Sequence, residues 1–368
     1  MADFLFDTLE ALTAIHAVPG QEQPMIRALR QITGDLGYEG AVDVFGNLCV
    51  DLGGPAGTPL LLIDAHTDEI GAVVQRVLPG GFIGLSAMGG ARESCFLARH
   101  VVVAGHPGVV GIKPGHFSTP DERGRLPSFD QLLVDVGAES ADEVAAMGIR
   151  IGSPVTWVSP LTRLGKGDRV AGKAVDNRLS CAVLCEVLRE RREGKAPAPR
   201  ARVVLAFTSQ EEVGLRGARA AASRLQPDVA LAVDTVPCGG TPDVPASISV
   251  TDIGRGPVVP LQARGGAGGY LAHPAVVSWL EETAGKAGVP LQFDLMRGGN
   301  NDAAAMQQAG AGAAAAAICL PRRYSHSPVE MADLRDARGA AKLIAALIAD
   351  FSGDRSFEYG AMDGGSSA

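Results

Sequence analysis

Apolar and polar positions along the chain switch between a helical rhythm and short apolar runs. Residues 3–33 repeat at helical spacing, with Leu5, Leu9 and Leu12 on one face, a break at Pro19-Gly20 and a second helix expected from about Pro24. A β-rich stretch then ends at 46–50, and the run 60–63 predicts a buried strand that delivers the polar string Asp64 to Gly71. Between Val73 and Gly165 the pattern changes to short β-prone runs (82–85, 100–104, 109–112, 155–158) separated by Gly and Pro turns, with a polar loop at 120–127. After Gly165 strands and helices alternate. A run at 170–175 leads into a helix over about 178–192, with Leu179, Val183 and Val187 four apart and Gly194 beyond its end. Strands follow at 203–207 and 229–233, with a helix to about Leu225 between them. Then come a loop-rich stretch at 236–268, a helix from His273 to about Gly288, a short strand at 291–296 and a strand-like ending to 312–320. The last periodic segment is an amphipathic helix carrying Leu334, Ala337, Ala341, Ile344 and Ile348.

This order predicts an α/β domain made of residues 1–72 and 166–352, interrupted by a small β-rich domain at 73–165 and followed by a disordered tail at 353–368. Composition narrows the partners. The chain has 368 residues, 46% hydrophobic and 20% charged, with a net charge of -8, so no basic face is available for nucleic acid. The cluster Arg189 to Lys195 reads as the solvated end of a helix. Six cysteines are scattered without a CxxC pair, mostly in apolar runs, which predicts buried free thiols in a reducing compartment and argues against a Cys-rich metal site. The N-terminus has no signal-like segment, and 309–320 is too short to span a bilayer, so a cytoplasmic protein with no membrane partner is expected.

The candidate chemistry lies where apolar runs end. His66, Asp176, the adjacent Glu211 and Glu212, Asp234 and His326 each sit just past such a run. In an open α/β sheet that edge is where a ligand crevice forms, so these distant positions are expected to converge. Two imidazoles and four carboxylates suit two borderline divalent ions such as zinc, cobalt or manganese. Two such ions can clamp a water and lower its pKa. Asp68, two residues after His66, can accept the second ring N–H and fix the tautomer. Each residue also has an ordinary explanation. The glutamates could be a solvated pair favoured by a helix N-terminus, Asp176 a helix cap, Asp234 a loop cap and the histidines structural or exposed.

The stretches AHTDEIG (65–71), AVDNR (174–178), TSQEEVGLRGA (208–218), VDT (233–235) and RYSHSPVE (323–330) closely resemble the M42 family of metallo-aminopeptidases, over nearly the whole chain. The resemblance implies a zinc-exopeptidase-like catalytic domain, with a central mixed sheet flanked by helices and an inserted PDZ-like domain that includes KPGH (113–116). It further implies that His66 and Asp234 bind one metal ion and Glu212 and His326 the other, that Asp176 bridges them, and that Glu211 is the general base. Short peptides would be the substrates, trimmed at the N-terminus, and subunits would assemble into dimers and dodecamers. The chain departs from the family pattern at Ser180, at KPGH and at Asn301-Asp302-Ala303, which bears on the specificity pocket. Arg255, Arg264 and Arg297 are candidates for a positive pocket, each with a structural role as the alternative. Competing functions are a di-metal deacylase of small N-acyl substrates, a glycoside hydrolase built on two carboxylates and a non-catalytic metal-binding scaffold.

Overall fold

Four apolar runs become parallel neighbours in one sheet: Arg202–Thr208, Leu60–His66, Val229–Pro237 and Ala314–Arg322, in that spatial order. Strands buried on both faces need apolar residues at consecutive positions rather than alternate ones, and these four have them. The computed structural model describes residues 3–122, 124–264 and 268–358. Register pairs Thr208 with His66, Asp64 with Ala232 and Asp234 with Cys319, so the C-terminal ends of these strands share one edge of the sheet. Leu48–Asp51 and Gly40–Val42 extend the sheet antiparallel on one side.

Helices cover both faces. Phe4–Thr13, Val175–Arg192, Pro274–Ala287 and Leu334–Asp350 pack on one face over Leu61, Ile63, Val203 and Leu205. On the other face Arg216–Leu225 and Ala303–Met306 cover Leu60, Leu62, Val204 and Ala206. Neighbouring strand residues thus feed two separate cores, as the pleat requires. Six strands between Gly71 and Trp157 close into a barrel with its own core, where the Phe96 and Trp157 rings meet edge-on at 5.1 Å. A third, three-stranded sheet joins Thr162–Leu164, Arg169–Gly172 and Glu330–Asp333.

Two segments differ from the sequence reading. The loop-rich stretch contains a seventh sheet position, Val258–Ala263, which pairs with Gln292–Met296. Pro260 lies inside it, and the register shifts between Pro260 and Gln262 because proline has no N–H for the ladder. At the C-terminus the chain stays packed to Phe357, whose ring lies 5.6 Å from that of Trp279. The rest of the expected tail, 359–368, lies outside the described residues. Among the described residues no helix is long and apolar enough to cross a membrane. All six cysteines are free and buried.

Where the N-terminal segment meets the end of the Leu60–His66 strand, a buried charge cluster holds the junction. Lys173 Nζ donates to Glu69 at 2.7 Å and to the Ile15 carbonyl at 3.1 Å, and Glu69 also accepts from the Ala17 N–H at 3.0 Å. Arg178, fully buried, faces the same carboxylate at 3.8 Å. Burial opposes the Glu69 charge, but Lys173 and Arg178 outweigh it and hold its pKa below the usual range. Glu69→Gln strands two buried cations and is expected to cost about 3–5 kcal/mol. Lys173→Met leaves Arg178 facing the carboxylate and should cost less. Urea unfolding midpoints compare the two; equal losses would contradict this account.

Candidate active site

The strand Arg202–Thr208 ends in a tight turn that carries Glu211 and Glu212. Gln210 and Leu215 take left-handed backbone angles, φ 58 and 57°, and the helix starts only at Arg216. The glutamates therefore lie ahead of the helix, not in its first turn. Their side chains are 10% and 5% exposed, which removes the solvated-pair explanation. Asp68 anchors the turn. Its two oxygens accept the backbone N–H groups of Glu211 and Glu212, each at 3.0 Å. Asp68 Oδ1 also faces His66 Nδ1 at 3.4 Å, longer than an ordinary N–H···O bond. Its main contacts are with the turn rather than the ring.

Asp176 opens the helix Val175–Arg192, but its backbone is not helical, and neither is that of Asn177. Its N–H donates to Glu330 Oε2 at 2.9 Å, and Asn177 Nδ2 ties the loop to the Val233 carbonyl at 2.9 Å. The Asp176 side chain turns away from the helix. One oxygen lies 3.2 Å from His66 Nε2, the other 3.3 Å from His326 Nε2. His66 Nε2 is also 3.6 Å from Asp234 and 4.0 Å from Glu211, and His326 Nε2 is 3.7 Å from Glu212. All six residues expected at the strand ends thus line one cavity of ≈ 640 Å³. Their origins differ in two respects from the sequence reading. Asp234 lies inside Val229–Pro237, which runs on past it, and Asp176 follows a strand of the small sheet, Arg169–Gly172.

Arg322 and Glu330 are two contributors without a role assigned from sequence. Arg322 Nη1 donates to Asp176 at 2.7 Å and pairs with Glu330. Glu330 in turn accepts the His326 N–H at 2.8 Å. The signal was present: an arginine ending a buried apolar strand cannot be left unpaired. The barrel also reaches the cavity, since a Cβ on Gly90 would lie 2.6 Å from His326 Nδ1. Of the other candidates, Asn300 lines the cavity, whereas Asp302 is buried behind it and accepts from Thr208 Oγ1 at 2.9 Å. Arg264 and Arg297 line a separate cleft, Arg255 lines neither, and Lys113 of KPGH pairs with Glu122 at 2.8 Å.

Charge in the cavity is unbalanced. Burial is the largest influence on each group. It opposes ionisation of Asp176, but Arg322 and the two histidines outweigh it and hold Asp176 well below the carboxylate range. Burial, then the Asp176 charge, pushes Glu212 up to about 8, and burial also raises Glu211. His326 is raised to about 8 against burial by Asp176 and Glu212, and His66 is raised against burial, first by Glu211. Carboxylates packed this closely need added positive charge. Two overlapping donor sets, His66–Asp176–Glu212 and His66–Glu211–Asp234, each place their atoms within 4.8 Å of one another. Nitrogen and oxygen donors at this spacing fit a divalent transition ion.

Comparison with known proteins follows the same line. Residues 46–343 match the model of the M42 glutamyl aminopeptidase family. The lysyl aminopeptidase of Pyrococcus furiosus is 32% identical over 339 residues, 90% of this chain and 93% of that one. An aminopeptidase from the archaeon Desulfurococcus kamchatkensis superposes with a TM-score of 0.88 at 34% identity, covering 95% of this chain and 96% of its own. The TET1 peptidase of Pyrococcus horikoshii, which can assemble into a tetrahedron or a large octahedral shell, superposes with a TM-score of 0.82 at 28% identity over 94% of this chain and all of its own. With the family matched across the site and most of the fold, the chain belongs to the M42 family of metal-dependent aminopeptidases.

Proposed function

We propose that this chain is a two-metal aminopeptidase that removes single residues from the N-terminus of short peptides. The observation that carries the reading is Asp176, whose two oxygens face His66 and His326 separately. A carboxylate so placed suits sharing between two ions. His66 and Asp234 would hold one, Glu212 and His326 the other, with zinc, cobalt or manganese as the ions these donors take. When bound, the ions supply Lewis-acid polarisation of the scissile carbonyl and a more acidic attacking water.

The chain's own groups do the rest. Glu211 accepts the proton of the attacking water and returns it to the leaving amine, the task of a carboxylate kept free of a metal yet beside it. Asp68 positions Glu211 through the backbone and so sets where that carboxylate points. The ammonium of the peptide N-terminus is drawn to the remaining carboxylates of the cavity, which restricts cleavage to the first bond. In the same reading residues 73–165, with their self-contained barrel core, are an inserted domain, and 1–72 with 166–352 the catalytic one. The likeness to TET1, which can assemble into a tetrahedron or a large octahedral shell, supports a homo-oligomer, for which a dimer building to a dodecamer is the form proposed, and six free buried thiols support a cytoplasmic location.

Hydrolysis of aminoacyl anilides by the metal-loaded protein tests the function; turnover of N-acetyl amino acids alone would overturn it in favour of a deacylase. Glu211→Gln should lower kcat about 100-fold or more with metal content unchanged, whereas Glu212→Gln should lose metal. Metal analysis of both variants after dialysis distinguishes the roles. Asp68→Asn, which weakens the anchor of the turn, should cost about 10–100-fold in activity. Metal uptake should also release protons. Glu212 and His326, each pushed up to about 8, hold protons in the metal-free protein at pH 7, and an ion can bind them only by expelling those protons. Apparent affinity therefore rises as pH rises toward about 8. Calorimetry in buffers of different ionisation heat measures this, and a zero proton count would refute it.

A further inference from the structure

The barrel meets the cavity at the ring of His326. Its strand Ile83–Met88 ends in a turn, residues 89–92, before the short helix Glu93–Phe96. Of the described barrel residues, Gly90 of this turn alone lines the cavity. The turn is tied down on its far side. Ala91, Cys95 and Phe96 are buried in the barrel core, where the Phe96 ring also meets that of Phe129 at 5.7 Å. Its position is therefore the position of the barrel.

What Gly90 faces is specific. A Cβ built on it would lie 2.6 Å from His326 Nδ1 and 2.9 Å from Cε1, and the third nearest atom, at 3.8 Å, is the Cγ of the same ring. The absent side chain leaves room for this imidazole. Gly89 stands against the neighbouring carboxylate residue, since its Cβ would lie 3.1 Å from Glu212 Cβ. Cys95 holds the His326 backbone, with Sγ 3.5 Å from the carbonyl oxygen. Of the six site residues His326 has most need of such support. Its side chain is 38% exposed, against 10% or less for the other five, and its backbone is left-handed, φ 56°. His66, by contrast, is set among Asp68, Asp176 and Asp234, all from outside the barrel.

We propose that Gly90 is a positioning residue for one metal ion of the two: it lets the barrel turn act as a stop that aims His326 Nε2 at the ion shared with Glu212. The inference rests on the two-metal reading. The distances decide its reach. A methyl group at position 90 would sit about 1 Å inside the usual contact distance of about 3.5 Å, so the ring must give way by that much. Metal–ligand distances tolerate about 0.2 Å. The ion assigned to His66 and Asp234 is held without the barrel and stays.

Cobalt(II) binding to the metal-free protein tests this, with bound metal counted after gel filtration. The parent should take two ions per chain. G90A should keep one at parental affinity and bind the other about 10–100-fold more weakly, the range for losing the support behind a ligand. Its activity should return as cobalt is raised. Gly90 is not left-handed, so the backbone accepts alanine there and the ring is the obstacle. In an H326A background G90A should therefore change neither the affinity of the remaining ion nor the thermal midpoint. Parental affinity for both ions in G90A, equal weakening of both, or an effect that persists in H326A overturns the inference and leaves the two-metal reading in place. A parent that takes fewer than two ions sinks that reading, and the inference with it.

Discussion

One buried carboxylate, Asp176, governs the site. An ionised group out of water persists only beside compensating charge. Asp176 has three such neighbours: His66 from one strand end, and Arg322 and His326 from another strand end and the loop after it. The arrangement depends on the backbone around it. Glu330 holds the Asp176 N–H, the His326 N–H and the Arg322 side chain together. The glutamates beyond it have no comparable partner, and their raised pKa values express the same deficit of positive charge.

Glu211 and Glu212 show how local backbone can separate two identical neighbours. Asp68 pins both their N–H groups, and the turn sends one side chain toward His66 and the other toward His326. Adjacent residues thus enter different electrostatic surroundings. The division of labour proposed for them needs no other difference.

Much of this was legible in the sequence for a simple reason. Parallel strands buried on both faces leave long apolar runs, and residues ending such runs share an edge whatever their distance along the chain. His66, Glu211, Glu212 and His326 were readable on that basis. Three features were not. The strand Val258–Ala263 contains a proline and a register shift, so its pattern reads as loop. Asp176 follows a strand of a second sheet, a fact no local pattern encodes. The Arg322–Glu330 pair is a tertiary contact that satisfies a buried cation, visible beforehand only as a requirement.

The position of Glu330 has a mechanical consequence. Its strand, Glu330–Asp333, belongs to the small sheet, as does the strand that leads to Asp176, while His66 and Asp234 belong to the main one. Asp176 therefore lies between groups carried by the two sheets. The hairpin Thr162–Gly172 leads into Asp176 and pairs with the strand of Glu330, which accepts the Asp176 and His326 N–H groups. Substitutions in that remote hairpin would tune the spacing of the donor atoms without touching any of them.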